Sequence, residues 1–493
     1  MAQRRILDSD VVKVYAKGEK HSASTLLATL FWGDVVNVTG SGPDGTHVEM
    51  VRRVFDETKG RYESRTSEGA LPKGVRFRDD GLLKVKFVDV GQGDGAIVET
   101  PSGQVLLVDG GEEHHLRRYI NVAYAHVLRT KPLPVAAIVV THGDADHFSG
   151  LTKLANDTRK DGQPTLLVER VFHNGLVKGS APGTAAFGKT VKKDGRVYVT
   201  ALEDDLLKVP VERMNTPFVA WREALAKLRK ASQGMKIRRL AWGDDDAFAF
   251  LKDEGLSMQV LGPLVETVGG KPALPFLRTP GSSSPSASHT VNGHSVVLRL
   301  AFGNVRFLFG ADLNEEAEES LLAKCRENGV SLASEVLKVP HHGSADFSPA
   351  VLEAIRPVVS VVSSGDESSA KEYIHPRSGL VGALGKYSRS SVEKPLVYVT
   401  EMVAFFERLG DVTAKGGAAL LSNKKPWKDA AKQPVLEVHN AYRKRTFGIV
   451  HVRTDGSRVL VATHSGKDDQ KEAYAFTVDA NGDVTFEERV KPL

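Results

Sequence analysis

The first 75 residues of the chain alternate between hydrophobic and polar positions with a period of two. Clear examples are VVKVYA (11–16), LFWGDVVNV (30–38) and HVEMVRRVFD (47–56), and glycine and aspartate punctuate the segments between them. Short alternating runs of this kind are typical of half-buried β-strands. We therefore predict a small all-β domain over residues 1–75, with its boundary at SEGALPKG (67–74).

From residue 82 onwards, apolar runs without alternation follow one another along the chain. Examples are QVLLV (104–108), AAIVV (136–140) and VVSVV (358–362), and helical patterns such as TPFVAWREALAKLRKAS (216–232) separate them. A strand that is apolar on both faces is suited to a sheet covered on both sides. Strands and helices in alternation predict a layered α/β domain, to which we assign residues 82–420.

Two further segments differ from this pattern. The stretch 269–289 is rich in glycine, proline and serine, which predicts a mobile loop or an insertion. Residues 421–493 return to period-two alternation with an Asp-Gly turn at 455–456. This last segment predicts a strand-rich C-terminal extension.

Composition places the chain among soluble globular proteins. A chain of 493 residues is longer than a domain with one hydrophobic core, so we expect two or three domains. Of its residues, 41% are hydrophobic and 26% are charged. The single cysteine, Cys325, cannot form an internal disulfide, which favours a reducing compartment. The N-terminal residues lack the apolar segment of a signal peptide, and no apolar run is long enough to span a bilayer. We therefore expect a cytoplasmic protein with no membrane partner.

The net charge of +5 is too small to indicate a nucleic-acid-binding protein by itself. Basic residues are concentrated at KTVKKDGR (189–196), LRKASQGMKIRR (228–239) and YRKR (442–445). Each cluster is either a solvated face or a patch that contacts phosphate, and we favour the solvated face.

Histidine and aspartate residues stand just beyond the ends of four separate apolar strands. They are Asp109, then the group His142, Asp144, Asp146 and His147, then Asp312, then the pair His341 and His342, while His375 follows a further strand at a greater distance. Open α/β sheets place ligands at the carboxyl ends of their strands. A charged or helix-capping turn explains any one of these groups, but it explains all of them together poorly. The combined pattern predicts a metal site.

Five motifs follow one another along the chain: FVDVGQGDGAIVETPSGQVLLVDGG, THGDADHFSGL, NGHSVVLRLAFGNVRFLFGADL, VLKVPHHGS and SSGDESSAKEYIHP. Together they resemble the metallo-β-lactamase-fold hydrolases, and most of all the hydrolase domain attached to bacterial competence DNA-uptake channels. The resemblance covers about residues 82–390. It implies a four-layer αββα sandwich with a dinuclear metal site at one edge. The N-terminal segment resembles a bacterial SH3-like β-barrel, which would be available to bind a protein partner.

The resemblance also implies roles for individual residues. The metal ligands would be His142 and Asp144 on one ion, Asp146 and His147 on the other, Asp312 as a bridge, and His341 or His342 as the terminal ligand. Between the last two we take His341 as the ligand, and we take Asp146, His342 and His375 as the catalytic residues. Asp109 would orient the ligand loop from behind.

Two points stay open at this level. The family's third histidine on the first metal ion has no clear counterpart, and the candidates are His173 and the region of Asn292. The segment GQGDG (91–95) lies between strands with no helix after it. We interpret it as a tight turn near the site and not as a phosphate-binding loop.

The donor types bear on the choice of metal. Three carboxylates in close proximity repel one another unless cations compensate, and two divalent ions would supply four positive charges against three. Asp144 stands where the family commonly has an imidazole, and its oxygen shifts the preference from Zn²⁺ towards Mn²⁺. We therefore expect two divalent ions, Zn²⁺ or Mn²⁺, whose shared water loses its proton near neutral pH and attacks the substrate.

These features predict a metal-dependent hydrolase, with a phosphodiester of nucleic acid as the favoured substrate. An alternative within the same class is hydrolysis of a small ester, a lactone, or a phosphodiester of the phosphocholine or cyclic-nucleotide type. An alternative from another class is a non-catalytic interaction protein with a vestigial metal site. The complete set of ligand residues argues against this last alternative.

Overall fold

The computed structural model of the chain describes residues 2–22, 24–56, 58, 61–365, 375–392, 395–401, 410–413, 435–438, 448–464, 473–487 and 490. The basic cluster at 442–445 and the predicted boundary near residue 420 lie outside these ranges. Within them, no helix combines the length and the apolar character that crossing a membrane requires.

The N-terminal region is an antiparallel sheet of seven strands in the order β3-β2-β6-β5-β4-β1-β7 once the strands are numbered along the chain. They are β1 (Gln3–Leu7), β2 (Val11–Ala16), β3 (Leu26–Phe31), β4 (Val35–Gly42), β5 (Gly45–Asp56), β6 (Arg61–Leu71) and β7 (Phe77–Arg78). The predicted alternation is visible in β2, where Val12 and Val14 join one apolar cluster and Val11 joins another. The all-β N-terminus is confirmed, and its likeness to an SH3-like barrel stays a prediction.

The remaining strands begin at residue 83. They are β8 (Leu83–Phe87), β9 (Ala96–Glu99), β10 (Val105–Val108), β11 (Leu133–Val135), β12 (Ala137–Val140), β13 (Leu166–Val168), β14 (Arg170–His173), β15 (Thr190–Lys193), β16 (Arg196–Val199), β17 (Lys236–Arg239), β18 (Leu256–Gly262), β19 (Glu266–Val268), β20 (Lys271–Pro275), β21 (Val297–Phe302), β22 (Val305–Phe309), β23 (Val336–Lys338), β24 (Val359–Val362), β25 (Leu396–Val399), β26 (Gly410–Thr413), β27 (Val435–Val438), β28 (Ile449–Thr454), β29 (Arg458–His464), β30 (Ala473–Val478) and β31 (Val484–Phe486).

The α-helices of the described residues all lie between residues 115 and 386. They are α1 (His115–Ala123), α2 (Ala125–Leu128), α3 (Ala145–Ala155), α4 (Thr216–Ala231), α5 (Ala287–Gly293), α6 (Glu315–Glu327), α7 (Pro349–Ile355) and α8 (Ser378–Lys386). Short 3-10 segments occur at Gly183–Phe187, Leu206–Lys208, Val211–Arg213, Asp245–Glu254 and Pro340–Gly343.

Two large sheets form the centre of the molecule. One has ten strands in the order β17-β14-β12-β10-β9-β8-β28-β29-β30-β31, and the other has six in the order β18-β21-β22-β23-β24-β25. Strands β10, β12, β14 and β17 are parallel neighbours in the first sheet, as are β22, β23, β24 and β25 in the second. The carboxyl ends of each parallel set therefore meet along one edge of the sandwich.

The apolar runs without alternation bury both of their faces. In β10, Leu106 and Val108 belong to the cluster between the two sheets, which also contains Phe307 of β22. Leu107 points the other way and joins the cluster that α1, α3 and α4 cover. On the second sheet, Leu308 packs with α6, α7 and α8. The predicted four-layer αββα sandwich is confirmed.

A small sheet lies beside the sandwich, in the order β15-β16-β20-β19. Two of its strands pair through residues 266–275, so part of the stretch 269–289, for which the sequence predicts a loop or insertion, is regular structure. Ala273 and Leu274 are fully buried there, and α5 begins at Ala287. The high glycine and proline content of this stretch therefore does not indicate the short hairpin that it contains, which two buried apolar side chains hold in place.

The C-terminal strands continue the ten-stranded sheet from β8, with Val450 opposite Phe87 and Val452 opposite Val85. They also support the N-terminal sheet, because Ala462 packs in one apolar cluster with Trp32. Arg453 of β28 also joins the two regions, because it donates hydrogen bonds to the Trp32 carbonyl at 2.6 Å and to Asp34 Oδ1 at 2.8 Å. The strand-rich extension is therefore joined to both of the other regions.

Candidate metal centre

The predicted site residues meet at the edge of the sandwich where the parallel strands end. Asp109 follows β10, His142 follows β12, and His341 and His342 follow β23, while Asp312 comes three positions after β22. Asp109, Ala311, His341 and His342 all have positive φ, between 47° and 57°. Positive φ is uncommon for residues other than glycine, and such strain is concentrated at functional sites.

Three imidazoles and two carboxylates converge within this edge. Oδ2 of Asp312 lies 3.1 Å from His342 Nε2, 3.3 Å from His147 Nε2 and 3.9 Å from His142 Nε2. The Asp146 carboxylate lies 3.6 Å from His342 Nε2 and 4.0 Å from His147 Nε2. These residues are brought together from three segments that span about 200 positions of sequence.

Neither Asp144 nor Asp312 has the simple capping role that would explain its carboxylate without a metal. Asp144 is the residue before α3, but its side chain makes no capping hydrogen bond. Helix α6 is capped by Asn314, whose side chain accepts a hydrogen bond from the Ala317 amide. Asp312 is therefore free of a capping function and points into the centre.

The hydrogen bonds behind the imidazoles determine which nitrogen of each ring faces the centre. His147 Nδ1 donates to Asp109 Oδ2 at 2.9 Å. His142 Nδ1 lies 3.1 Å from Oγ1 of Thr141, and this hydroxyl donates to Asp109 Oδ2 at 2.6 Å. His342 Nδ1 donates to the Ser363 carbonyl at 3.0 Å. Because each Nδ1 donates outwards in these contacts, each ring directs Nε2 inwards, and once the ring is neutral the Nε2 lone pair is available to a cation.

Four buried atoms at this point have no hydrogen-bond partner. They are Nε2 of His142, His147 and His342, and Oδ1 of Asp312. A buried polar atom without a partner costs about 1–3 kcal/mol, so four of them side by side require a compensating group. Ligand atoms of His142, His147 and Asp312 lie within 4.8 Å of one another, as do those of Asp146, His147 and His342. Imidazole nitrogens and carboxylate oxygens at these distances fit a divalent cation.

The electrostatics of the centre show how strongly its groups are coupled. Burial alone would lower the pKa of His342, but the carboxylates of Asp312 and Asp94 outweigh burial and raise that pKa to about 10. Burial would likewise raise the pKa of Asp312, but His342 and His147 hold it well below its usual range. Burial and the neighbouring His147 keep the pKa of His142 well below normal. Without a metal, protons on His147 and His342 balance the charge of the carboxylates. A bound cation would replace these protons.

Asp144 and His341, two of the predicted ligands, have other partners. Oδ1 of Asp144 accepts a hydrogen bond from Lys178 Nζ at 3.0 Å. When the Asn292 amide is oriented to satisfy the hydrogen bonds of its neighbours, its nitrogen donates to Asp144 Oδ2 at 3.0 Å and its oxygen accepts from His341 Nε2 at 3.3 Å. Among the described residues, the groups of ligand atoms that lie close enough to share a cation include neither Asp144 nor His341.

The two adjacent histidines therefore occupy positions opposite to the assignment made from the sequence. That assignment has His341 as the ligand and His342 as a catalytic residue, but the structure brings His342 to Asp312 and turns His341 towards Asn292. His375 lies behind the pair, with its ring centre 6.3 Å from that of His341. Burial and the neighbouring His342 lower the pKa of His375 to about 4, so this ring is neutral at neutral pH.

Of the two candidates for the third histidine, only Asn292 is at the centre. His173 is buried elsewhere, where Nδ1 accepts from the Gly175 amide and Nε2 lies 3.3 Å from the Asp204 carbonyl. Burial lowers the pKa of His173 to about 4. Its position at the end of β14 resembles that of a ligand, but the ring points away from the site.

Sequence reasoning misses the residues that hold the ligands from the side of the segment GQGDG. Gln92 Nε2 donates to Asp146 Oδ2 at 3.0 Å. Asp94 is buried, forms an ion pair with Lys338, and has its Oδ1 3.2 Å from His342 Nδ1. The sequence predicts a tight turn near the site at this segment. It gives no indication that the side chains of Gln92 and Asp94 hold the ligands.

The centre opens into a cleft of about 640 Å³. Asp146, Asp312 and His342 lie at its base, and Lys178, His341 and His375 also line it. The open side gives a substrate access to the cluster of unpartnered atoms.

Comparison with known proteins agrees with this geometry. Residues 88–213 match the family model described as the metallo-beta-lactamase superfamily. Over 86 residues the chain is 43% identical to "Competence protein ComA" of Neisseria gonorrhoeae, and the match covers 17% of this chain and 12% of that protein. The resemblance drawn from the motifs is confirmed. The chain contains a domain with the metallo-β-lactamase fold.

Proposed function

We propose that this protein is a metal-dependent hydrolase that cleaves phosphodiester bonds of nucleic acid. The observation that carries the proposal is the convergence of three inward-facing Nε2 atoms and the unpartnered Asp312 oxygen at the base of an open cleft. We further propose that the cation is held by His147, His342, Asp146 and Asp312, with His142 beside them. A bound divalent cation would supply Lewis acidity at the phosphoryl group and lower the pKa of the attacking water.

The other residues of the centre would orient these groups and handle the substrate. Asp109 holds His147 from behind, and Gln92 holds Asp146. The neutral His375 ring and His341 line the cleft, where their N–H groups would donate hydrogen bonds to anionic phosphate oxygens. In this proposal His375 acts as a donor to the substrate and not as a general acid, because its pKa of about 4 leaves it uncharged.

A polymeric anion is favoured by the hairpin of β15 and β16. Every residue from 189 to 196 is exposed, including Lys189, Lys192, Lys193 and Arg196. The hairpin is anchored next to the cleft, because Val199 packs in one apolar cluster with Leu176 and Val291. These two residues are close in sequence to Lys178 and Asn292, which line the cleft. The match to a protein named for competence also supports nucleic acid as the substrate.

The second basic cluster does not support this proposal. Arg229 pairs with Asp205 at 3.2 Å, Arg238 with Asp246 at 2.7 Å, and Arg239 with Asp204 at 3.0 Å. These arginines are neutralised by neighbouring aspartates, as the interpretation of a solvated face predicts.

The test is a substrate panel with purified protein and Mn²⁺. We expect hydrolysis of bis-p-nitrophenyl phosphate and of single-stranded DNA, duplex DNA or RNA, and no hydrolysis of nitrocefin or lactones. Chelation should abolish the activity, and so should Asp312→Ala, whereas Asp161→Ala, which changes an exposed carboxylate paired with Arg159, should retain it. Turnover of lactones alone would replace the proposal by the small-ester alternative, and an active Asp312→Ala variant would refute the site.

A further inference from the structure

Asp144 is the one predicted ligand whose two carboxylate oxygens are both occupied by side chains of this chain. Lys178 Nζ donates to Oδ1 at 3.0 Å, and the Asn292 amide donates to Oδ2 at 3.0 Å. The Asp144 side chain is 25% exposed and that of Lys178 33%, so the pair lies at the wall of the cleft and not on the open surface. The ammonium group of Lys178 thus already pairs with the carboxylate that the family resemblance assigns to the first metal ion.

Asn292 closes the same half of the centre. The nitrogen of its amide also donates to the Ser288 carbonyl at 3.1 Å, while its oxygen accepts from His341 Nε2. In this orientation the group presented to Asp144 is an N–H donor without a lone pair, and the amide would have to turn over to offer its oxygen to a metal ion. A first metal ion would therefore have to displace Lys178 from the carboxylate and turn over the Asn292 amide.

The charge balance leads to the same result. Lys338 neutralises Asp94, and Lys178 neutralises Asp144, which leaves Asp146 and Asp312 facing the unpartnered imidazole nitrogens. Lys178 is the only lysine or arginine among the described residues that line the cleft. One divalent cation would compensate Asp146 and Asp312, the two carboxylates next to these nitrogens, while the buried Asp109 accepts hydrogen bonds from His147 and Thr141 behind them.

From these contacts we propose that the centre holds one tightly bound divalent cation, at Asp146, His147, His342 and Asp312, and that Lys178 supplies the second positive charge beside Asp144. This inference rests on the proposed metal-dependent function and replaces the expectation of two divalent ions. It identifies Lys178 as a positioning residue that determines the number of metal ions.

The number of bound ions is the readout that separates the two arrangements. Full-length protein is dialysed against Mn²⁺ over a range of concentrations, and bound manganese is measured by elemental analysis. We expect one tightly held ion in the unmodified protein. In Lys178→Met a second ion should bind at least tenfold more tightly than any second ion in the unmodified protein, because the competing ammonium is gone.

Lys17→Met is the matched control. Lys17 is 39% exposed and pairs with Glu68 at 2.9 Å on the N-terminal sheet, away from the cleft. This variant removes the same side chain from an ion pair outside the cleft and should leave the manganese binding curve unchanged. Lys178→Arg keeps the charge and should still bind one ion.

A second variant covers the case in which Lys178→Met fails to fold. Asp144→Asn removes a ligand from a two-ion centre but not from a one-ion centre, so the tight ion should bind within about twofold of its original affinity. Two ions of equal affinity in the unmodified protein, or loss of one ion in Asp144→Asn, would overturn the inference. Absence of any bound manganese in the unmodified protein would instead refute the proposed function.

Discussion

His341 and His342 show how one peptide step decides which imidazole reaches the centre. Both residues have left-handed backbone angles, with φ of 50° and 52°, so the chain turns sharply after β23. His342 Nε2 lies 3.1 Å from Asp312 Oδ2, while His341 contacts Asn292. The sequence motif contains both histidines and has no pattern that distinguishes them, because the distinction depends on the turn.

This pair gives a matched test at the level of single residues. His342→Ala should lose the bound metal, since it removes one of three inward-facing Nε2 atoms. His341→Ala should retain the metal, because this ring lies outside the groups of converging ligand atoms. Elemental analysis of the two variants after identical purification provides the comparison. Loss of metal from His341→Ala with retention in His342→Ala would restore the assignment made from the sequence.

A second prediction concerns Asp94. Asp94→Asn leaves the buried ammonium of Lys338 without a counter-charge, which should destabilise the fold by about 3 kcal/mol or more. It also weakens the support of His342 Nδ1, so metal affinity should fall about 10–100-fold. Urea unfolding and manganese titration measure the two effects separately.

The double variant Asp94→Asn with Lys338→Met separates these roles. Removing both charges should recover most of the lost stability, whereas metal affinity should stay low because His342 still lacks its carboxylate partner. Full recovery of metal affinity would show that Asp94 acts only on stability.

Some contacts of the centre could not be predicted from the sequence, because they involve residues far from any recognisable motif. Asp109, His142, His147 and Asp312 are predictable because each follows an apolar strand, and strand ends meet in space. Lys178 lies in a loop without periodic pattern, and its approach to Asp144 depends on how that loop packs. No spacing rule connects the two positions.

At the scale of elements, the loop between β8 and β9 is as important to the centre as the strands. Gly93 has φ of 103°, and a Cβ atom there would lie 1.8 Å from the Asp146 carbonyl oxygen. Ser363 Oγ donates to the Gly93 carbonyl at 2.8 Å and fixes the loop from the second sheet. The loop thus reaches the ligand helix only because glycine has no side chain.

Gly93→Ala should therefore displace Asp146 and reduce metal binding by at least tenfold. Gly103→Ala is the matched control, since Gly103 has a similar φ of 93° but a Cβ atom there would meet nothing within 4 Å. Both variants carry a backbone cost of about 1–2 kcal/mol, but only the first carries the steric clash. Equal metal binding in the two variants would show that close approach at Gly93 has no role in the site.

The elements themselves are largely predictable from the hydrophobic pattern. The strands β10, β12 and β24 and the helix α4 lie where the sequence places them. The strand β20 is not predicted, because glycine and proline around it conceal the buried pair Ala273 and Leu274. The pairing of β28 with β8 is also invisible in the sequence, since about 360 residues separate the two strands and alternation does not specify a partner.

For the whole molecule, Glu335 connects the second sheet to the C-terminal strands. It is fully buried and pairs with Arg306 and Arg389, each at 2.7 Å, and Arg389 also donates to the Gly482 carbonyl. Burial would raise the pKa of Glu335, but the two arginines outweigh it and lower the pKa below its usual 4.5. The charged carboxylate therefore stabilises the folded state.

The pH dependence follows from this direction. A lowered pKa contributes stability that is fully present above about pH 4.5 and is lost as the pH falls through the folded-state pKa. Glu335→Gln should reduce the free energy of unfolding by about 3 kcal/mol at pH 7, and the difference from the unmodified protein should shrink below pH 4.5. Urea unfolding of both proteins across pH measures it, and a difference independent of pH would contradict the role of the charge.

We propose that residues following three strands, β12, β22 and β23, hold a divalent cation at Asp312. Anomalous diffraction from crystals soaked in Mn²⁺ tests it most directly. We expect a strong anomalous peak within about 2.0–2.3 Å of the Asp312 carboxylate and of the Nε2 atoms of His147 and His342. A map with no peak at these atoms, or with manganese bound only elsewhere on the protein, would contradict it.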